Sequence, residues 1–193
     1  MKVKYGICNV HYAKEKKAED GTITYDTPVP LPGAKNIKMD AEGDSNPFYA
    51  DNKLFFNKFN NNGYSGELGI ALLSDQFRKD ILGEIADKNG ALLEKIDAIP
   101  SNFALMFELD GDDDKMRFCF YHCSTSRPST EANTQEDKTE PDIDNLSLTM
   151  TGRDKDNLVR AKLKRTDSPD AYDKFYESVY EPVYQEQEET PSV

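Results

Sequence analysis

An α+β fold built mainly of antiparallel sheet is expected from this sequence, for three reasons. Runs of alternating apolar and polar residues recur between Asn, Gly and Asp turn signals. Only two stretches carry helical periodicity. The hydrophobic runs 103–109 and 116–123 flank a short acidic turn, as a hairpin does. At 193 residues the chain fits one domain with one core.

Residues 3–12 (VKYGICNVHY) read as a strand with mixed faces, and 14–21 as a charged turn. Residues 28–33 (PVPLPG) hold three prolines in five positions, so they form an extended connector or sheet edge. In 34–39, Ile37 and Met39 share a face opposite Asn36 and Lys38. KLFFNKF (53–59) reads as a strand, and 60–63 (NNNG) as the turn to its partner. In that return strand Tyr64, Leu68, Ile70 and Leu72 face one way, while Ser65, Glu67 and Ala71 face the other.

A helix is expected over 75–88, N-capped by Ser74 and ended by Asn89-Gly90. Phe77, Ile81 and Ile85 form its buried stripe, with Leu82 beside them. In the 103–109/116–123 hairpin, Phe103, Leu105, Phe107 and Leu109 share a face, as do Met116, Phe118 and Phe120. Residues 124–142 are polar, with two prolines, a long loop for a small domain. A last hairpin is expected from 146–151 and 159–164, around a turn at 152–157. Beyond Arg165 the composition shifts. Ser168 and Pro169 can open a second helix with the stripe Tyr172, Phe175, Tyr176, Val179 and Tyr180, stopped at Glu181-Pro182. The chain thus divides into a main domain, 1–165, and a C-terminal amphipathic helix with an acidic, disordered tail, 166–193.

The net charge is −12. That balance opposes binding to nucleic acid, where Lys and Arg must displace counterions, and to anionic membranes. It suits a soluble protein, or a surface along which a polyanion passes without adhering. The opening residues lack the apolar stretch of a signal peptide, and no run approaches a membrane span. Three cysteines make a complete disulfide framework unexpected and point to folding in a reducing cytoplasm.

Chemistry-bearing groups are few. Cys8 and His11, with Cys119, His122 and Cys123, could meet around zinc. Strand alternation, however, puts Cys8 and His11 on opposite faces and favours structural cysteines. The run 110–114 (DGDDD) resembles a calcium loop, but Lys115 stands where Gly is needed and Tyr121 where Glu is, so a solvated turn fits better. There is no nucleophile elbow and no phosphate-cradling Gly-rich loop. No catalytic residue, cofactor or metal site is assigned.

Two surfaces remain. Arg153, Lys155, Arg160, Lys162, Lys164 and Arg165 form a basic cluster. It reads as a solvated strand face, as a partner for the acidic 108–144 stretch of a neighbouring copy, or, third, as a DNA contact. The aromatics Phe48, Tyr49, Phe55, Phe56, Phe59 and Tyr64 are the other. Strict alternation places Phe55 and Phe56 on opposite faces, so both faces want cover: ordinary core packing alone is one reading, and the chain's own core on one face with a second subunit on the other is the second. With Asp51, Arg127, Arg160, Lys162 and Lys164 they make up the candidate interface.

Taken in order, YGICNVHYA (5–13), PVPLPGA (28–34), AEGDSNPFYADN (41–52), NNGYSGELGIALLSDQFRKDILG (61–83), ALMFELDGDDDKMRFCFYHCSTSRPS (104–129) and TEP (139–141) resemble the major tail protein family of long-tailed phages and prophages of Gram-positive bacteria. The likeness spans about 5–165; FYADN and GYSGELGIAL carry most of it. It implies a tail-tube fold, a β-sandwich or barrel-like pair of sheets flanked by a helix, with an N-terminal arm and a long 124–145 loop. It implies rings, typically hexameric, stacked around a tape-measure protein and joined to tail terminator and distal tail proteins. DNA would be a transient, non-adhering cargo. The location would be the virion tail, assembled in the host cytoplasm. A monomeric β-sandwich module of a tail tip, recognising a host-surface ligand, is the alternative.

Overall fold

Strand β10 (Phe103–Leu109) organises the chain, because six consecutive side chains from Phe103 to Glu108 are buried. A strand buried on both faces needs cover on both. The computed structural model describes residues 6–110, 115–129 and 142–184. In chain order the strands are β1 (Ile7–Lys17), β2 (Ile23–Tyr25), β3 (Val29–Pro30), β4 (Ala34–Glu42), β5 (Ser45–Ala50), β6 (Lys53–Phe59) and β7 (Gly63–Ile70). The helical segment α1 (Asp75–Phe77) runs directly into a π-helical turn (Arg78–Leu82). Then come β8 (Ile85–Ala86), β9 (Leu92–Leu93), β10, β11 (Met116–Thr125), β12 (Asp144–Thr151), β13 (Arg160–Lys164) and α2 (Pro169–Asp173). The class is α+β, mainly antiparallel.

Nine strands form one sheet in the order β2-β1-β10-β11-β12-β7-β4, with β3 beside β1 and β13 beside β11. The β10–β11 hairpin has the expected register, Leu109 opposite Met116 and Phe107 opposite Phe118. The last hairpin does not form. Instead β12 pairs with the end of β11 (His122 to Thr125) and with β7, while β13 pairs with the start of β11 (Met116 to Phe120). Strand β11 is long enough to hold both in succession on one edge. The sheet forks there, and alternation within 146–151 and 159–164 could not reveal which partner each strand would choose.

One face is the larger core. Phe103, Leu105 and Phe107 pack with Leu68, Leu146, Leu148 and the helical residues Phe77, Ile81 and Leu82. Ser74 caps α1 by accepting from the Phe77 N–H at 3.3 Å. The Tyr12 hydroxyl donates to Asp80 Oδ2 at 2.9 Å, and the Tyr12 and Phe103 rings meet Phe77 edge-on. The helix is shorter than the 75–88 expected. Gly83 adopts φ 78° and its N–H closes on the Arg78 carbonyl, ending the helix there. Ile85 therefore leaves the stripe and lies half-exposed on β8. Gly90 turns a separate loop in which Asp87 accepts from the Asn89 and Ala91 N–H groups. Leu72 is likewise exposed and Leu73 takes the core position, because β7 ends at Ile70.

The other face is covered by the C-terminal segment. Tyr172, Phe175 and Val179 pack on Ala104, Met106, Cys119, Tyr121 and Leu163, with Tyr176 and Tyr180 beside them. The expected stripe is present, but the helix stops at Asp173. Its Tyr172 carbonyl is taken by Arg117 Nη1, and three-residue turns follow, from Phe175 to Tyr172 and from Glu177 to Lys174. The remainder of the expected tail, 185–193, lies outside the described residues, as do 111–114 and 130–141. Among the described residues, no helix is long and apolar enough to cross a membrane.

Phe175→Ala should destabilise the fold by about 3–5 kcal/mol, because it empties a fully buried site between segment and sheet. Phe55→Ala, on a residue 77% exposed, should change it by less than about 0.5 kcal/mol. Urea unfolding of the two variants measures the contrast.

Candidate assembly interface

Strands β4 and β7 pair from Ala34–Ile70 to Glu42–Gly63. The same two chain segments then continue as β5 and β6, paired from Ser45–Phe59 to Ala50–Lys53. Two bonds carry the ribbon across the gap: Asn60 N–H to the Asp44 carbonyl at 3.0 Å, and Asn62 N–H to the Glu42 carbonyl at 2.9 Å. The expected pairing of 53–59 with 64–72 is thus corrected. The reversal lies at Asp51-Asn52, where both residues have positive φ (52° and 58°), as a tight hairpin with right-twisted strands requires. The 60–63 stretch is a joint in one long ribbon. Gly63 is needed there: its φ is 97°, and a side chain would collide with the Met150 carbonyl.

The inner half of this ribbon belongs to the main sheet and the outer half projects from it as a separate two-stranded unit. Phe48, Tyr49, Leu54, Phe55, Phe56 and Phe59 are all more than half exposed on the projection. Asp51 is exposed at its tip. A register shift beside Phe48 breaks the alternation that assigned Phe55 and Phe56 to opposite faces. Phe48 pairs with Phe56, yet its ring meets Phe55 edge-on at 6.5 Å. The five aromatics present about 500–850 Å² of surface, taking 150–250 Å² for each in full, and Leu54 adds to it. A typical monomer's largest apolar patch is about 300–600 Å².

The remaining candidates lie elsewhere. Tyr64 belongs to the main sheet, edge-on to Phe120 at 5.5 Å with the Arg160 guanidinium 4.9 Å from its ring centre. A groove of about 320 Å³ at the base of the projection is lined by Glu42, Phe59, Asn60 and Tyr64 among others. Lys162 is exposed and Lys164 half-buried on β13. Arg127 pairs with Glu94 at 2.6 Å and donates to the Lys95 carbonyl at 3.0 Å, fixing the loop before β10. Arg153 departs from the solvated reading: it is 1% exposed. Its guanidinium donates to both oxygens of Asp156 and of Glu181, at 2.7–2.9 Å, and lies 4.4 Å from the Tyr121 ring centre. Hydrogen bonding to Asp156 and Glu181 pushes its pKa further up, so it stays charged. Much of the acidic 108–144 stretch lies outside the described residues.

The zinc reading has no geometric support. Among the described residues, no three His, Cys, Asp or Glu side chains could hold a metal ion. A β-bulge at Asn9 (φ 52°) shifts the register between Cys8 and His11. Contrary to alternation, both then lie on the C-terminal segment's side. Cys8 Sγ is 3.9 Å from Glu108 Oε1, and the His11 ring stacks on Tyr176 at 4.3 Å. His122 Nδ1 lies 2.6 Å from Glu15 Oε2. Burial pushes the Cys8, Cys119 and Cys123 thiols up, away from the reactive thiolate. A cleft of about 550 Å³ beside α2 is lined by charges that already satisfy one another: Glu108 with Arg117 at 2.8 Å, and Arg165 with Asp173 at 3.5 Å.

A comparison with protein-family models and with curated proteins finds no match to this chain.

Arg153→Met should cost about 2–3 kcal/mol at neutral pH through lost charge-assisted hydrogen bonds. Arg153 holds the Asp156 carboxyl below the usual carboxylate range. The stability this adds is present above the unfolded value near about 3.9 and lost as pH falls through the lower folded value. Acid unfolding of Arg153→Met should therefore fall less steeply below about pH 4 than that of the parent.

Proposed function

We propose that this protein is the structural subunit of a bacteriophage tail tube, assembling with copies of itself into stacked rings, of six by family resemblance, around a tape-measure protein. The observation that carries this reading is the aromatic hairpin. It projects from the main sheet, is joined to it by a continuous ribbon, and is exposed among the described residues. Contact of such a surface with water is unfavourable, and burial against an apolar partner stabilises it. The sequence likeness to major tail proteins favours another copy of the chain as what meets it.

Two further features support the reading. Among the described residues, strand β4 ends the strand order of the main sheet, so its outer edge can take a neighbouring strand. The net charge of −12 gives a conduit whose wall repels the duplex within it. Closed rings need a head-to-tail interface, and stacking then uses the two ring faces. Tail terminator and distal tail proteins would close the tube's ends, in the virion.

Negative-stain microscopy of the purified protein, alone and with the tape-measure protein, tests the proposal. Rings or tubes are expected; monomers under every condition would sink it. Phe55→Asp and Phe56→Asp should each abolish assembly while the melting midpoint stays within a few degrees of the parent, since both residues are exposed. Assembly should also accelerate as salt rises from about 0.01 to 0.15 M, where the Debye length falls from about 30 to 8 Å and repulsion between acidic copies is screened.

A further inference from the structure

We propose that the aromatic hairpin of one copy docks on a second apolar surface, carried by residues 85–99 at the opposite end of another copy. The inference rests on the tail-tube reading and names the receiving surface. Ile85 and Leu93 stand directly opposite each other on the short β8–β9 ladder, both about half exposed. Ile96 is 98% and Ile99 84% exposed on the loop that follows. These side chains lie on a braced loop. Arg127 binds Glu94 and the Lys95 carbonyl from across the fold, and the Ser101 N–H donates to the Ile81 carbonyl at 2.7 Å. A loop pinned at both ends with its isoleucines in water has the form of a receptor.

The ladders place the two surfaces at opposite ends. Cys123 is level with Met150 and Tyr64, and Thr125 with Leu148 and Gly66. Arg127, two residues further, and the 94–98 loop it grips therefore lie toward the Ile70 end of β7. The hairpin leaves from the Gly63 end. Eight strand residues separate those ends by about 25 Å, so a hairpin cannot reach the receiving surface of its own chain.

A second copy is the occupant that charge and area favour. The hairpin carries two acids (Asp44, Asp51) against two lysines (Lys53, Lys58), a neutral arm on an acidic chain. It can therefore approach another copy without the repulsion that the whole molecules feel. Its apolar surface is near the roughly 800 Å² per partner of a standard interface. Donor and acceptor at opposite ends make the contact heterologous, and such a contact propagates.

The test uses the full chain in three forms: parent, a hairpin variant (Phe55→Asp with Phe56→Asp) and a receiving-surface variant (Ile96→Asp with Ile99→Asp). Ile96→Ser with Ile99→Ser repeats the last without added charge. Sedimentation velocity should show self-association weakened about tenfold or more in each variant alone. An equal mixture of hairpin and surface variants should pair one to one, because each supplies the half the other lacks. Two distinguishable tags read that pairing. If both surface variants assemble like the parent while the hairpin variant does not, the docking is overturned and the tail-tube reading stands. Absence of pairing in the mixture, with the parent assembling, also overturns the docking. A parent that never associates overturns both.

Discussion

The double burial of β10 is the constraint from which the rest of the structure follows. FALMFE places large side chains on one face and Ala104, Met106 and Glu108 on the other, and none of the six is more than 3% exposed. Burying a large apolar side chain is worth about 1.5–3 kcal/mol, so leaving either face wet would forfeit a large share of a domain's marginal stability. The first face is met by the helical segment with β7 and β12. Among the described residues the second is covered mainly by the C-terminal segment, with Tyr25 and Leu158 beside it. Residues 169–180 are therefore part of the core, although a composition shift separates them from the main domain.

Polar groups fix where that cover lies. Glu108 is buried beneath the segment, and it is held by Arg117 at 2.8 Å and the Tyr172 hydroxyl at 3.1 Å. The Tyr121 hydroxyl donates to the Tyr180 carbonyl at 2.8 Å, and Arg153 grips Glu181. Aromatic packing alone would let a short irregular segment slide. Bonds of fixed length at Tyr172, Tyr180 and Glu181 set its register. Breaking one would leave a buried polar group unsatisfied, which is costlier than the bond is stabilising.

The sequence is legible where a signal is local. Individual strands, the Ser74 cap, the β10–β11 hairpin and the buried faces of β4 and β10 follow from alternation and capping chemistry. Errors arise where a residue breaks the local period. Asn9 inserts a bulge and brings Cys8 and His11 to one side. The shift beside Phe48 likewise breaks the alternation in the hairpin and sets the Phe48 ring against Phe55. Gly83 stops a helix that the Phe77, Ile81, Ile85 spacing would extend. Its position just after Leu82 was the available signal, overshadowed by Asn89-Gly90. Partner choice among strands is non-local, so neither the ribbon of β4 to β7 nor the fork at β11 could be read. Asp51-Asn52 did mark the reversal, since Asp and Asn tolerate positive φ. Arg153 gave no signal at all: its burial depends on Tyr121 and Glu181, each about thirty residues away.

An exposed aromatic arm is a hazard for a chain at high concentration, because unpaired strands with apolar faces template aggregation. Here the arm is short, ends in a tight turn, and carries Lys53 and Lys58 among its aromatics. The body behind it is strongly acidic, which slows encounters between copies. On the tail-tube reading this balance has a purpose. Copies that repel at long range and adhere through one neutral projection associate only when the projection is correctly presented. Attraction would thereby be confined to one geometry, while the acidic charge would restrain free subunits. Stability of the monomer and specificity of assembly are then set by different residues: Phe103 to Glu108 for the one, Phe48 to Phe59 for the other.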